Sequence, residues 1–266
     1  MTFNHPDIFQ NLRKLPADLQ QALHILIIDR LGNSEDAYMR TENIIGYAEP
    51  SKTYQVGLAG MLEAPELDIP AMPEPMAPPR TPLTGQWYSA IDLTIKDANI
   101  LGGNGRYVLQ QGDEQLEIPI ADATPEHLAY YKCHLVKVGE AVRFESTGNL
   151  PLTITCVGKD YAPGYLLDSN IGGGAYLEIH DRPHFHMPLD ADCGGYLILG
   201  QENAQGVKEI SAFKIPFGYA IHMSPWTIHA DSYLVGRYMV IFSATPEFST
   251  VIIRQQNGDL AGVDFI

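Results

Sequence analysis

From about residue 85 onward, short runs of β-branched and aromatic residues alternate with turn residues. This texture predicts many short strands, and Asn257-Gly258 is typical of a tight hairpin turn. Because no helical segments alternate with these strands, the pattern predicts an all-β sandwich or barrel. The predicted strands are Trp87–Ile95, Arg106–Gln111, His127–Val138, Ala141–Glu145, Leu152–Val157, Tyr176–Ile179, Gly195–Leu199, Ile210–Ile215 and Tyr238–Ser243.

The chain before residue 85 has a different pattern. Asn4 and Pro6 are typical of the start of a short helix. A second helix is predicted by apolar residues at three- and four-residue spacing, namely Leu19, Ala22, Leu23, Leu26 and Ile27. We expect this apolar stripe to dock on the β domain or on a second subunit, and we favour a homo-oligomer, in the simplest case a dimer.

Seven prolines lie between Glu63 and Thr84. Each proline removes an amide donor, so this stretch is neither helix nor central strand and predicts an extended arm or linker. The expected organisation is therefore an N-terminal helical segment over 1–50, a proline-rich arm over 51–84 and a β domain over 85–266. The candidate chemistry lies in its second half, 151–266.

Charge and cysteine content narrow the class of partner. The 266 residues carry a formal net charge of −15 at pH 7, which repels nucleic-acid phosphates and anionic lipid. Three scattered cysteines are typical of reduced thiols in a cytosol, and neither a secretory signal nor a membrane-length apolar run is visible. We therefore expect a cytoplasmic protein that binds a small-molecule substrate rather than nucleic acid or membrane.

The segment His184-Phe185-His186 carries the strongest chemical signal. Histidines at positions i and i+2 of a strand point to one face and can bind a single metal ion. His229, which follows a turn containing Pro225, is the predicted third ligand. His222, on the strand before that turn, is the alternative.

This arrangement resembles the cupin superfamily. The first cupin motif has a glycine, a His-x-His pair, a glutamate and a second glycine, and the second motif has a glycine, a Pro-containing turn and a histidine. The resemblance covers about residues 174–243 and departs from the pattern at Glu178, which replaces the leading glycine, and at Cys193, which replaces the glutamate. It implies a jelly-roll β-barrel or sandwich and a divalent transition metal. The strands of 85–150 have the cadence of a degenerate first repeat, but no His-x-His.

The fourth ligand is left open by this departure. Asp190 has the motif spacing counted forward from His186, Cys193 has it counted back from Gly200, and Asp192 lies between them. A carboxylate beside imidazoles suits Fe(II), Mn(II) or Ni(II), whereas a thiolate favours zinc. We expect Asp190 or Asp192 to be the ligand, Cys193 to line the pocket without ligating, and Fe(II) to be the metal.

Glu178, His180 and Arg182 are the predicted catalytic residues. They share a face with the histidine pair if the chain is extended from Tyr176 to His186, and a buried charged residue needs a partner or a function. The resemblance implies a metal-dependent enzyme that acts on a small polar metabolite, and we favour an oxidoreductase, specifically a non-haem iron dioxygenase. The alternatives are a Lewis-acid isomerase, lyase or hydrolase, a non-catalytic module that binds a small ligand, and a structural protein assembled through its N-terminal segment.

Overall fold

The protein is mostly β. The computed structural model describes residues 12–22, 27–89, 105–110, 115–167, 175–243, 245 and 247–266. Its helices are Ala17–Gln21, Pro125–Tyr130 and the π-helical turn Ala162–Leu166. None of the helices within these residues is both long and apolar enough to cross a membrane.

The strands are numbered in chain order. They are β1 (Asp29–Leu31), β2 (Tyr38–Ala48), β3 (Thr53–Gly57), β4 (Gly60–Glu63), β5 (Thr81–Leu83), β6 (Gly85–Tyr88), β7 (Arg106–Leu109), β8 (Gln115–Ile118), β9 (Ile120–Ala121), β10 (Cys133–Lys137), β11 (Ala141–Arg143), β12 (Leu150–Val157), β13 (Tyr176–His180), β14 (His184–Pro188), β15 (Gly194–Gly195), β16 (Leu197–Glu202), β17 (Lys208–Phe213), β18 (Tyr219–Met223), β19 (Ile228–Ala230), β20 (Leu234–Ile241), β21 (Phe248–Arg254) and β22 (Gly262–Phe265).

Two large sheets contain most of these strands. The first sheet has the order β1-β2-β12-β20-β14-β18-β10, and β15 also pairs with β20. The second sheet has the order β5-β17-β16-β19-β13-β21-β7-β6, and β9 also pairs with β17. A small sheet, β11-β3-β4, and the pair β22-β8 complete the fold. Pairing is mostly antiparallel, and the parallel pairs are β17–β9, β21–β7 and β22–β8.

The two large sheets pack face to face. Leu199 of β16, in the second sheet, shares a buried cluster with Ile221 and Val240 of the first sheet. On the other face of the first sheet, Phe185 and Met187 of β14 pack with residues of the small sheet. Because side chains alternate along a strand, the even residues of β14 face the second sheet. This parity directs both histidines of the pair into the space between the large sheets.

The second sheet curls on itself. Its two edge strands are β5 and β6, which only Thr84 separates along the chain. The curl brings Lys208 of β17 to 5.8 Å from the ring centre of Trp87 on β6, although six strand pairings separate β17 from β6 in the sheet. Leu83, Tyr107 and Ile210 are buried among the residues that fill this part of the molecule.

The all-β prediction is confirmed. Both large sheets end in edge strands over the described residues, so neither closes as a barrel and the sandwich alternative describes the architecture. The helical prediction for 1–50 is wrong where β1 and β2 form, and His127–Val138 is a helix end followed by β10 rather than one strand. Within 51–84, strands β3, β4 and β5 flank a stretch over 64–80 without regular structure.

Two local predictions, the apolar stripe of the second helix and the Asn257-Gly258 hairpin turn, are confirmed in part. Leu19 is buried against Ile44 of β2, so this part of the apolar stripe docks on the β domain, while residues 23–26 lie outside the described ranges. The Asn257-Gly258 turn is present, with Gly258 at φ 92°, but only one bridge, Arg254 to Leu260, joins its arms. The strand after it, β22, pairs with β8 instead. The predicted helix near Asn4 also lies outside the described residues.

Candidate metal centre

The candidate site lies where β13 and β19 of the second sheet face β14 of the first sheet. Glu178 on β13 is directly opposite His229 on β19, so the two side chains share a face. His180 ends β13 and His184 begins β14 on the other sheet. The sequence therefore brings these residues together across two facing sheets, not along one extended strand.

Four of these residues form one group of possible metal ligands. Glu178, His180, His184 and His229 each offer an oxygen or nitrogen atom, and these atoms all lie within 4.8 Å of one another. Atoms that each bind an ion at about 2.1 Å are at most about 4.2 Å apart, so binding requires a contraction of less than about 1 Å. Three imidazoles and one carboxylate are a set that a divalent transition metal accepts.

Glu178 and His229 form a buried pair. The Nε2 of His229 lies 3.0 Å from Oε1 of Glu178, and its Nδ1 lies 2.9 Å from the carbonyl oxygen of Thr227. Thr250 donates its hydroxyl to the other oxygen of Glu178 at 3.2 Å. Burial alone raises the pKa of Glu178 and lowers that of His229, but their mutual hydrogen bond reverses both directions. The carboxylate is therefore held in its charged form.

His180 and His184 lack such a carboxylate partner. Burial and then the nearby His229 lower the pKa of His180 to about 4. Burial, followed by the neighbouring histidines, lowers the pKa of His184 well below its usual value. The Nδ1 atom of His184 is buried and has no hydrogen-bond partner among the described residues. An unpartnered ring nitrogen inside a cluster of donors is what a metal ligand requires.

A second group shares His184 with the first. His184, His186 and Asp231 also offer atoms within 4.8 Å of one another, and the rings of the two histidines stack with centroids 4.6 Å apart. The Nε2 of His186 is 3.1 Å from Oδ2 of Asp231, whose other oxygen accepts the hydroxyl of Tyr176. Burial opposes the charge of Asp231, but His186 lowers its pKa to about 2. This group orients the ring of His184.

A cavity opens beside the donors. Its volume is about 60 Å³, which is enough for several water molecules or a small ligand. Glu178, His180 and His184 line one side of the cavity, and Phe242 and Phe248 provide apolar walls. The guanidinium of Arg30 also lines it and contacts the hydroxyl of Tyr161 at 3.5 Å. The cavity thus combines donor atoms, apolar walls and one positive charge.

The three residues considered for the fourth-ligand position lie elsewhere. Asp190 is on the surface, 3.6 Å from a guanidinium nitrogen of Arg237, with 45% of its side chain exposed, and Asp192 is exposed as well. Cys193 is buried in a different cluster, donates its thiol to the carbonyl of Arg237 and lies beside Gly236. Neither of the two donor groups contains any of the three. The expectation of a loop carboxylate, with Cys193 lining the metal pocket, is therefore corrected.

Two further residues are placed away from the donors. His222 points to the opposite face of the first sheet, where it stacks on His134 and meets the edge of Phe144. Arg182 directs its guanidinium towards Gly148, and its backbone carbonyl accepts hydrogen bonds from His180 and Ser243. The side chain of Arg182, a predicted catalytic residue, is not among those that line the cavity.

The predicted residues that the structure does bring together are Glu178, His180, His184, His186 and His229, divided between the two groups. Sequence reasoning placed Tyr176 near the pocket but missed Asp231 and the hydrogen bond that joins the two. Asp231 is two residues after His229, so strand parity contained a signal for it. Tyr176 shares its face of β13 with Glu178, and the same parity applies.

Comparisons of the chain with protein-family models, with curated proteins and with solved structures give no match.

Proposed function

We propose that this protein is a metal-dependent enzyme with a cupin-like jelly-roll sandwich that acts on a small polar metabolite, with Fe(II) as the favoured metal. The observation that carries the proposal is the buried group of Glu178, His180, His184 and His229. Three nitrogen donors and one oxygen donor leave positions of an octahedral ion open to other ligands. The same set of donor types is the one that the cupin resemblance implies.

The chain's own residues have distinct roles in this proposal. Glu178, His180, His184 and His229 hold the ion, and Ser243 fixes the His180 ring through a 2.8 Å contact at Nδ1. The ring of His186 stacks on that of His184 and is itself held by a hydrogen bond with Asp231. Such supporting contacts typically alter metal affinity about 10- to 100-fold.

The cavity walls suit a small anionic or polar substrate. Phe242 and Phe248 exclude water from one side, and Arg30 supplies a positive charge that attracts a carboxylate or another anion. When bound, the metal would supply either redox chemistry with O2 or Lewis-acid polarisation of the substrate. The oxygen-bearing donor set favours the first use, and we therefore favour a dioxygenase.

Metal analysis of the purified protein tests this proposal. The wild type is expected to contain about one transition-metal ion per chain, and the double variant His184→Ala/His229→Ala is expected to lose it. The matched control is His134→Ala/His222→Ala, which also removes two histidines but from the other face of the sheet. Circular dichroism on all three proteins checks that each is folded.

The identity of the metal then separates the two kinds of chemistry. Iron together with O2 consumption that depends on a small carboxylated or hydroxylated substrate supports the oxygenase. Zinc, manganese or nickel without O2 consumption supports the Lewis-acid alternative. Equal metal content in the wild type and in the folded His184→Ala/His229→Ala variant would contradict the proposed centre.

A further inference from the structure

A second concave surface lies on the opposite face of the strands that carry the metal donors. Ile179 of β13 and Ile228 of β19 line it, whereas their neighbours Glu178 and His229 point into the space between the sheets. The groove is at one end of the curled second sheet and has a volume of about 420 Å³. The mouth of a curled or closed sheet is a common position for small-molecule sites. We name it the tryptophan groove.

Both tryptophans of the chain line this groove. The sequence contains only two, Trp87 and Trp226. Trp226 leaves 59% of its surface exposed, although a large aromatic side chain gains by burial. Trp87 is fixed, because its indole donates to Ser249 at 2.9 Å and its ring meets the edge of Tyr107. The groove therefore presents one anchored indole and one that is open to solvent.

The backbone of the groove is strained at two residues. In the described part of the chain, three residues other than glycine have a left-handed backbone, and two of them, Lys132 (φ 59°) and Trp226 (φ 65°), line this groove. Bulky residues rarely adopt this conformation, and such strain clusters at ligand sites.

The two strained residues are held at a fixed spacing. Ser224 donates its amide to the carbonyl of Lys132 at 3.3 Å, and Thr227 donates its hydroxyl to the carbonyl of Tyr131 at 3.4 Å. The amide of Trp226 donates to the carbonyl of His180 at 2.8 Å, which anchors the same turn to the end of β13. The backbones that carry the exposed indole and the lysine are thus held at a fixed distance from each other.

The polar groups of the groove indicate the class of ligand. Glu202 and Lys208 form an ion pair at 2.8 Å, and Gln201 adds an amide. Lys132 has no ion-pair partner among the described residues, in a chain whose net charge is −15. A sugar ring has an apolar face that packs on an indole and hydroxyls that bond to amides and charged groups, and a carboxylate on that sugar matches an unpaired ammonium.

We propose that the tryptophan groove is a saccharide-binding site that prefers a uronic-acid unit, with the sugar ring on Trp226 and its carboxylate at Lys132. This site is distinct from the proposed metal centre, because the two lie on opposite faces of β13 and β19. The turn at Trp226 and Thr227 joins them through hydrogen bonds of its backbone to His180 and His229. A saccharide bound here contacts none of the four metal donors.

Intrinsic fluorescence tests the site directly, because both tryptophans of the chain lie in the groove. Titration with trigalacturonate is expected to change the emission of the wild type in a saturable manner, and calorimetry gives the dissociation constant of each variant. Trp226→Asn removes the indole but tolerates the left-handed backbone, and is expected to weaken binding at least about tenfold. Lys132→Gln is expected to weaken trigalacturonate by about the same factor and to leave the neutral trisaccharide maltotriose unchanged.

Phe217→Ala is the matched control, because Phe217 is an exposed aromatic residue that lies outside the groove. It is expected to bind trigalacturonate as the wild type does.

The proposal is overturned by unchanged fluorescence with both saccharides at millimolar concentration, by full affinity in the folded Trp226→Asn variant, or by equal affinity of the two saccharides in wild type and Lys132→Gln. A dimer that dissociates in Trp226→Asn, without saccharide binding, would instead identify an interface between two copies. Metal content measured on the same samples reports the metal centre separately.

Discussion

Two clusters of histidines lie against opposite faces of the first sheet, and they differ in the carboxylates around them. His184 faces the second sheet among Glu178 and Asp231, whereas His222 faces the small sheet among His134 and Phe144. Burial lowers the pKa in both places, to about 3 for His222. Among the described residues, only the first cluster brings carboxylate oxygens and imidazole nitrogens within 4.8 Å of one another. Only that cluster therefore offers a mixed set of donors that could hold a metal ion.

The largest effect is expected from the substitution Glu178→Gln, which removes a carboxylate that distinguishes the first cluster from the second. Glu178→Gln removes a charged ligand and leaves the Nε2 of His229 buried beside an amide. We expect the bound metal to fall at least about tenfold and the unfolding free energy without metal to fall by about 3 kcal/mol, as for a buried pair that loses one partner. Metal analysis and chemical denaturation measure the two effects. Glu117→Gln, at an exposed position of β8, is the control, and a metal content equal in both variants would contradict the role of Glu178.

The pH dependence of stability tests the second cluster, around His222, on the other face of the first sheet. The folded-state pKa of His222 is about 3, against 6.5 for an unperturbed histidine. Between pH 3 and pH 6.5, His222 is therefore protonated in the unfolded chain but neutral in the folded chain. His134 stacks on this ring, and Glu140 and Arg143 line the adjacent cavity. Stability is therefore lost as pH falls from about 6.5 towards 3, by up to about 1.4 kcal/mol per pH unit. His222→Phe should show a shallower acid limb in denaturation at pH 4 to 6, whereas an unchanged slope would assign the loss to other groups.

At neutral pH the same substitution should stabilise the fold. The Nε2 of His222 is buried without a partner among the described residues, and an unsatisfied buried group costs about 1–3 kcal/mol. We expect His222→Phe to raise the unfolding free energy by about 1 kcal/mol and to leave metal content unchanged. His134→Phe, at a half-buried ring, should change stability less. A destabilised His222→Phe would show that the pocket cannot take the larger ring.

The smallest effects are expected at the carboxylates that the sequence favoured. Asp190→Ala and Asp192→Ala remove exposed charges, and surface charges typically contribute less than about 1 kcal/mol. Both variants should keep their metal and melt within a few degrees of the wild type. Loss of metal from either variant, with the fold intact, would return the fourth ligand to this loop and contradict the assignment of Glu178.

The short runs of β-branched and aromatic residues predicted the β class correctly, because strand propensity is a local property of the sequence. The parity of His184 and His186 was equally local, and both point to one face. The role of Glu178 as the carboxylate of the donor group was not predictable in this way. Glu178 and Asp190 are each six residues from His184 in the sequence, and only the packing of two sheets brings Glu178, not Asp190, to the histidines. The helical prediction for 1–50 was wrong at β2, because the helical pattern itself extends only to Ile27 and the chain beyond it forms a strand paired with β12.

The strand order also has a consequence for how the chain acquires its structure. β7 pairs in parallel with β21, and β8 pairs in parallel with β22. Strands near residue 110 therefore cannot form these pairings until the chain near residue 260 has been synthesised. Long-range pairing of this kind slows folding, because loop closure precedes the contacts that reward it. During synthesis these early strands have exposed edges until the late ones leave the ribosome. We therefore expect the protein to fold after synthesis rather than during it, and to depend on chaperones over that interval.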